Sequence, residues 1–280
     1  MDLEPLDPEY VQDRLSRAPF VNITGVDNVR DLGSYPTSYA GYMTKPSYVL
    51  RGAEISSITE EGKERLKKLG VTRVYDLRSD TEIAKWGTAS PDMGDLEIIR
   101  TPVFKTEDYS PEMMAKRFEL YASGKTEAFM QLYSQILDNA GPAFGVIFRH
   151  SITPPSHVKL SFPGEAGKDR TGVLAALLLS LAGVREEDIA EDYALTRVGR
   201  EPSRAKVMAR LSKEPIFAAN SEAALNMFTS RPETMLAFLQ LVQEKYGGAE
   251  GYLKQHAQLT DEDITTIRRN ILVPTESSRL

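Results

Sequence analysis

The run Ala166-Gly167-Lys168-Asp169-Arg170-Thr171-Gly172-Val173 collects the residue types that hold an anion. A glycine-containing loop before a helix lets successive backbone N–H groups converge on one point, and the helix start adds the positive end of its dipole. Arg170 can grip two oxygens of one phosphate with its planar fork, and Lys168 adds a mobile charge. Thr171 can hydrogen-bond within the loop or cap the helix, and Ala166, Gly167 and Gly172 complete the cradle. The plain alternative is a polar turn before a buried helix, with Arg170 paired to Asp76 or Asp169 and Asp169 bracing the loop. His150 and His157 have no companions that suggest a metal site, and no cofactor is called for. The chain contains no cysteine, which removes disulfides, thiolate metal sites and thiol chemistry.

These residues need a frame. Val49-Leu50 after Pro46 suggests a short strand, and Thr59 opens a helix over Glu60–Leu69 that Gly70 ends. Val71–Leu77 reads as a buried strand broken by one arginine, and Leu96–Val103 as another strand. Strand, helix, strand at this spacing is the pattern of a parallel crossover unit. From Pro111 to His150 apolar residues recur at three-to-four spacing, a helical period. A weak strand candidate, His157–Phe162, precedes the loop, and the helix Thr171–Ala182 is apolar nearly all round, which predicts burial. Ser230-Arg231-Pro232-Glu233 and Thr260-Asp261-Glu262-Asp263 read as helix N-termini, the second with Leu259 and Ile264 as a hydrophobic staple.

With 280 residues, 41% of them hydrophobic, and a net charge of −6, the chain is expected to be a soluble globular protein without a broad nucleic-acid footprint. Met1 to Ser16 is acidic and lacks the apolar core of a signal peptide. The longest apolar run, Val173–Leu179, is too short to span a bilayer, so no transmembrane segment is expected. A cytoplasmic location is the default, with a nuclear one also open. The economical organisation is a single domain over 21–273, an N-terminal arm over 1–20 and a tail over 274–280.

The chain resembles the fungal and bacterial tyrosine-phosphatase family whose loop reads His-Cys-x-Ala-Gly-Lys-Asp-Arg-Thr-Gly. Asn28–Tyr35 is similar to that family's N-terminal signature and Tyr48–Glu54 to the strand that follows. Val74–Glu82 resembles its Asp-Leu-Arg-Ser motif, Asp192–Thr196 the segment after the loop helix, and Tyr246-Gly247-Gly248 with Tyr252-Leu253 its C-terminal helices. The resemblance implies an α/β fold: a central, mostly parallel sheet flanked by helices, with a helical insertion and a helical C-terminal part. It implies a reaction in which a cysteine thiolate attacks phosphorus and water releases the phosphocysteine. It assigns Asp169 as general acid, Arg170 as the phosphate clamp, and Asp76 with Arg78 as support, though these two could equally be a buried structural pair. It also connects Lys168 with a broad substrate range. The implied ligands are a phosphorylated protein, a phosphoinositide or a small phosphate ester.

The chain departs from that pattern where the chemistry should start. Counting back from Ala166, Glu165 fills the variable slot, Gly164 the cysteine slot and Pro163 the histidine slot. Glycine has no side chain to attack phosphorus, Ser161 lies too far back, and Glu165 adds a negative charge beside the cradle. The preceding strand alternates polar and apolar residues after Pro154-Pro155, whereas a central parallel strand should be nearly continuously apolar. Two rules therefore fail together within about ten residues while the flanking motifs stay intact. Two explanations stand: a pseudophosphatase remodelled for binding, or a displaced exon boundary that replaces 151–165 with translated noncoding sequence.

Overall fold

The computed structural model describes residues 4–105, 111–152, 159–164, 166–213 and 225–275. The N-terminal segment forms α1 (Pro8–Leu15), with Asp7 accepting a hydrogen bond from the Tyr10 amide. Val11, Phe20 and Val198 form a small apolar cluster that docks α1 on the body. Then come β1 (Arg30–Asp31), β2 (Tyr42–Thr44), β3 (Val49–Ala53), α2 (Glu60–Lys68), β4 (Val71–Asp76), α3 (Asp80–Trp86) and β5 (Glu97–Arg100). Thr59 caps α2 by accepting from the Gly62 amide, and Gly70 follows with φ +75°, as its place at the helix end predicts.

The helical stretch expected between Pro111 and His150 is two helices, α4 (Pro111–Ala122) and α5 (Thr126–His150). The break falls at Gly124, whose φ of +59° no helix accommodates. Next come β6 (Lys159–Gly164), α6 (Asp169–Leu181), α7 (Glu186–Ala194), α8 (Thr196–Gly199) and α9 (Arg204–Leu211). The chain finishes with α10 (Pro232–Tyr246), α11 (Ala249–His256), α12 (Asp261–Ile271) and β7 (Leu272–Pro274). Thr260 and Asp263 form the expected reciprocal cap of α12, and Leu259 and Ile264 are both buried. Ser230 does not cap α10: the cap position is Arg231, and the Ser230 hydroxyl instead donates to the Ala194 carbonyl at 3.1 Å.

The main sheet has the order β1-β3-β6-β4-β5, with β3, β6, β4 and β5 parallel and β1 antiparallel at the edge. The α/β fold with a helical C-terminal part is therefore present. A parallel sheet is covered on both faces. One core gathers α5, α6, α7, α10, α11 and α12 around Tyr75 and Leu77, with α6 buried from Thr171 to Leu179, and a second packs α2 with β3 and β4. A minor sheet of β2 and β7 ties the C-terminal part back to the N-terminal one. Among the described residues, no helix is long and apolar enough to cross a membrane.

The central strand is β6, and its pairing is unequal. It runs in register with β3 from Leu160 to Gly164, but with β4 only from Lys159 to Ser161, with an irregularity between Val71 and Arg73. Pro163 has no N–H to donate, so it cannot join a ladder as a donor, and the pairing with β4 ends before it. The strand expected at His157–Phe162 thus lies at Lys159–Gly164; Pro154, Pro155, His157 and Val158 fall outside the described residues.

Candidate functional site

In open α/β sheets ligands bind beyond the carboxyl ends of the strands, where the connections diverge. β6 ends at such a place: Gly164 lies beside Ala53 at the end of β3, and the chain continues through Ala166-Gly167-Lys168 into α6. The helix begins at Asp169, two residues earlier than the apolar run suggests, because the Lys168 carbonyl already accepts from the Gly172 amide at 2.7 Å. Gly167 has φ +60°, and a Cβ there would lie 2.4 Å from the Gly52 carbonyl oxygen. Only glycine fits this turn, on conformation and on space.

The turn is pinned from below by residues that sequence reasoning did not assign to the site. The Gly167 carbonyl accepts from Arg51 Nη2 at 2.9 Å and from Asn28 Nδ2 at 3.3 Å, and Asn28 also reaches the Ala166 carbonyl at 3.3 Å. Asp192 on α7 accepts from Arg30 Nε at 2.8 Å and from Arg51 Nη1 at 2.5 Å. All three side chains are at most 1% exposed. Burial alone would raise the Asp192 pKa, but the two guanidinium charges outweigh it and hold the carboxyl below the usual range. Burial, with Arg30 alongside, pulls Arg51 down to about 10 against the opposing pull of Asp192. The signal for this cluster was a charge inside an apolar strand, Val49-Leu50-Arg51. Asp31 braces the neighbouring loop, accepting from the amides of Gly33 and Ser47.

Lys168 is buried, and its ammonium donates to the carbonyls of Met227 at 2.8 Å and Thr229 at 3.1 Å. It sits 5.0 Å from the Phe129 ring centroid and 5.5 Å from that of Tyr121. Burial lowers its pKa, opposed by the adjacent Asp169 charge. Asp169 accepts from the Tyr133 hydroxyl at 2.9 Å and the Tyr121 hydroxyl at 3.4 Å, with Lys168 Nζ at 3.6 Å. The Tyr133 and Tyr193 hydroxyls are themselves 2.5 Å apart. The sequence put Tyr121 and Tyr133 among helical core positions; their hydroxyls converge on the loop.

Arg170 pairs with neither Asp76 nor Asp169. Its two terminal nitrogens donate to Glu82 at 2.6 and 2.8 Å, a bidentate pair with a carboxylate 1% exposed. The reason is topological: α3 starts beside the carboxyl end of β4, and its first turn points Glu82 at the loop. That turn is held by Ser79, which caps α3 through the Glu82 amide at 3.1 Å, and by Asp76 and Arg78. Asp76 accepts from Arg78 Nε at 2.9 Å and Nη2 at 2.8 Å, and from Arg100 at 2.7 Å. Burial would raise the Asp76 pKa, but the Arg78 hydrogen bonds and the Arg78 and Arg100 charges hold it below the usual range. Thr171 is fully buried in the first turn of α6, and Gly172 lies against the Tyr193 ring.

The structure thus gathers Ala166, Gly167, Asp169, Arg170, Thr171 and Gly172 at the start of α6, with Asp76 and Arg78 one layer behind. At the end of β6 it places Gly164, beside Ala53 of β3. The arrangement can orient an anion; it has no cysteine with which to attack one. Among the described residues, no group of His, Asp and Glu could hold a metal ion.

The profile of the family described as the tyrosine phosphatase family matches residues 21–273. The chain is similar to the triple specificity protein phosphatase PtpB of Mycobacterium tuberculosis, 26% identical over 83% of this chain and 92% of that protein. It is also similar to a tyrosine-protein phosphatase of Nostoc commune, 29% identical over 73% of this chain and 68% of that one.

Proposed function

We propose that this chain, which belongs to the tyrosine phosphatase family, holds a phosphate monoester in the loop Ala166–Gly172 without hydrolysing it through a phosphocysteine. One observation carries the reading: the cradle keeps its glycine turn, its clamp Arg170 and their buried supports, while the nucleophile slot is Gly164 in a chain without cysteine. Phosphorylated protein side chains lead the candidate ligands, because the relatives are named a tyrosine phosphatase and a triple specificity protein phosphatase. A phosphoinositide or a small phosphate ester offers the same headgroup chemistry.

In this reading Arg170 orients two phosphate oxygens, and Glu82 fixes the plane of its guanidinium. The amides at the start of α6 supply further donors, and the helix dipole favours the negative charge. Asp169, fixed by Tyr121 and Tyr133, is a loop brace rather than a working acid, because no leaving group departs without nucleophilic attack. Inorganic phosphate should raise the melting temperature. The stabilisation expected when phosphate exceeds its Kd a hundredfold is about 2.7 kcal/mol. Arg170→Ala should abolish that shift. No shift at millimolar phosphate, or an equal shift in Arg170→Ala, contradicts the reading.

A further inference from the structure

Among the described residues, the charges around the loop do not cancel. Lys168 faces Asp169, and Arg170 faces Glu82. Beneath the loop, Arg30 and Arg51 share the single carboxylate of Asp192. Arg30 is fully engaged: its nitrogens also reach the carbonyl and side-chain oxygens of Asn28, the Asp192 carbonyl and the Thr196 hydroxyl. Arg51 is not. Its Nη2 reaches the Gly167 carbonyl, and its buried Nε has no hydrogen-bond partner.

Arg51 also lies on the positive side of a dipole. Its Nη2 is 3.7 Å from where a Cβ of Gly172 would be, against the first turn of α6. A cation at a helix N-terminus is unfavourable, and so is a buried charge without full compensation. Two contributions of one sign therefore meet beneath the loop, the second guanidinium and the helix start. An anion in the cradle offsets both at once.

We propose that Arg51 supplies fixed counter-charge for a dianionic phosphate monoester in the loop, so that this site is electrostatically complete only when occupied. The inference rests on the reading that the loop holds a phosphate ester and adds to it a residue that works through space from behind the Gly167 turn. It also gives the ligand a charge: a phosphate monoester gains more from Arg51 than a diester or a carboxylate with a single negative charge.

The test compares inorganic phosphate affinity, by calorimetry and by melting shift, in the native chain, Arg51→Met, Arg51→Lys and Asp192→Asn. The charge-removing Arg51→Met should weaken phosphate binding about tenfold, and Arg51→Lys should recover most of the loss. Asp192→Asn should lower the melting temperature without anion yet bind phosphate at least as tightly as the native chain, since it removes the competing carboxylate. A merely structural cluster would instead weaken binding in both Arg51→Met and Asp192→Asn. Unchanged affinity in Arg51→Met, or parallel losses in both variants, overturns the inference while leaving the loop's anion binding in place. If Arg51→Met does not fold, weakened binding in Asp192→Asn overturns the inference by itself. No binding by the native chain overturns both readings together.

Discussion

Glu82 fixes what Arg170 can do, and the two are 88 positions apart in the chain. Replacing the carboxylate by its amide, Glu82→Gln, leaves hydrogen-bonding capacity but strands a guanidinium charge beside the loop. Breaking a buried pair from one side costs about 3 kcal/mol. The expected outcome is a lower melting temperature in phosphate-free buffer and a larger phosphate-induced rise than in the native chain. A melt with and without phosphate checks both signs. Gly167→Ala acts differently. A non-glycine residue at φ +60° costs about 1–2 kcal/mol, and the Cβ collides with the Gly52 carbonyl. The turn must shift, so phosphate binding should fall along with stability, and added phosphate should not recover it. The pairing of Arg170 with Glu82 was not legible from the chain. Glu82 reads as an ordinary acidic residue in the first turn of a helix, and only the parallel order of β6 and β4 brings that turn to the loop. The glycine turn was legible, because a glycine before an apolar helix has few other uses.

At the scale of elements, the loop helix, the crossover strands and the caps of α2 and α12 follow directly from pattern. Each is set by local chemistry: a hydroxyl cap, a terminal glycine, an apolar run. The split of 111–150 into α4 and α5 was hidden because the apolar period continues across Gly124. Thr260→Ala should cost about 1 kcal/mol of stability, through the lost cap of α12, with phosphate affinity unchanged. It is the control that separates fold from site. β6 is the element where pattern and place disagree. It occupies the centre of the sheet, yet its pairing with β4 ends at Ser161, before Pro163. If the rest of the cradle is intact, the paired change Pro163→His with Gly164→Cys should create turnover of p-nitrophenyl phosphate that iodoacetamide abolishes. Absence of turnover in a folded, phosphate-binding double variant would locate the defect in the strand as well as in the missing thiol. Reading the transcript across 148–166 addresses the origin of that strand. Confirmed codons for Pro163-Gly164-Glu165 remove the displaced exon boundary and leave a remodelled family member.

Across the whole molecule, two buried carboxylates, Asp76 and Asp192, sit between arginines with their pKa values held low. A depressed folded pKa contributes stability above the unfolded value, about 3.9 for aspartate, and that contribution is lost as pH falls through the folded value. Melting temperature should therefore be flat near neutrality and fall steeply below about pH 4. Asp192→Asn should begin lower and fall less steeply over the same range. Asp192 ties α7 to β1 and β3, and Asp76 ties the end of β4 to β5 and to the turn before α3, so acid should release the loop and the fold together. The function proposed for this fold is a phosphate cradle with no nucleophile in it. Its most direct test is to incubate the native chain with p-nitrophenyl phosphate while following melting temperature and nitrophenolate release in the same samples. A raised melting temperature with no release above the protein-free blank is expected. Release proportional to protein concentration, and lost in Arg170→Ala, would contradict it.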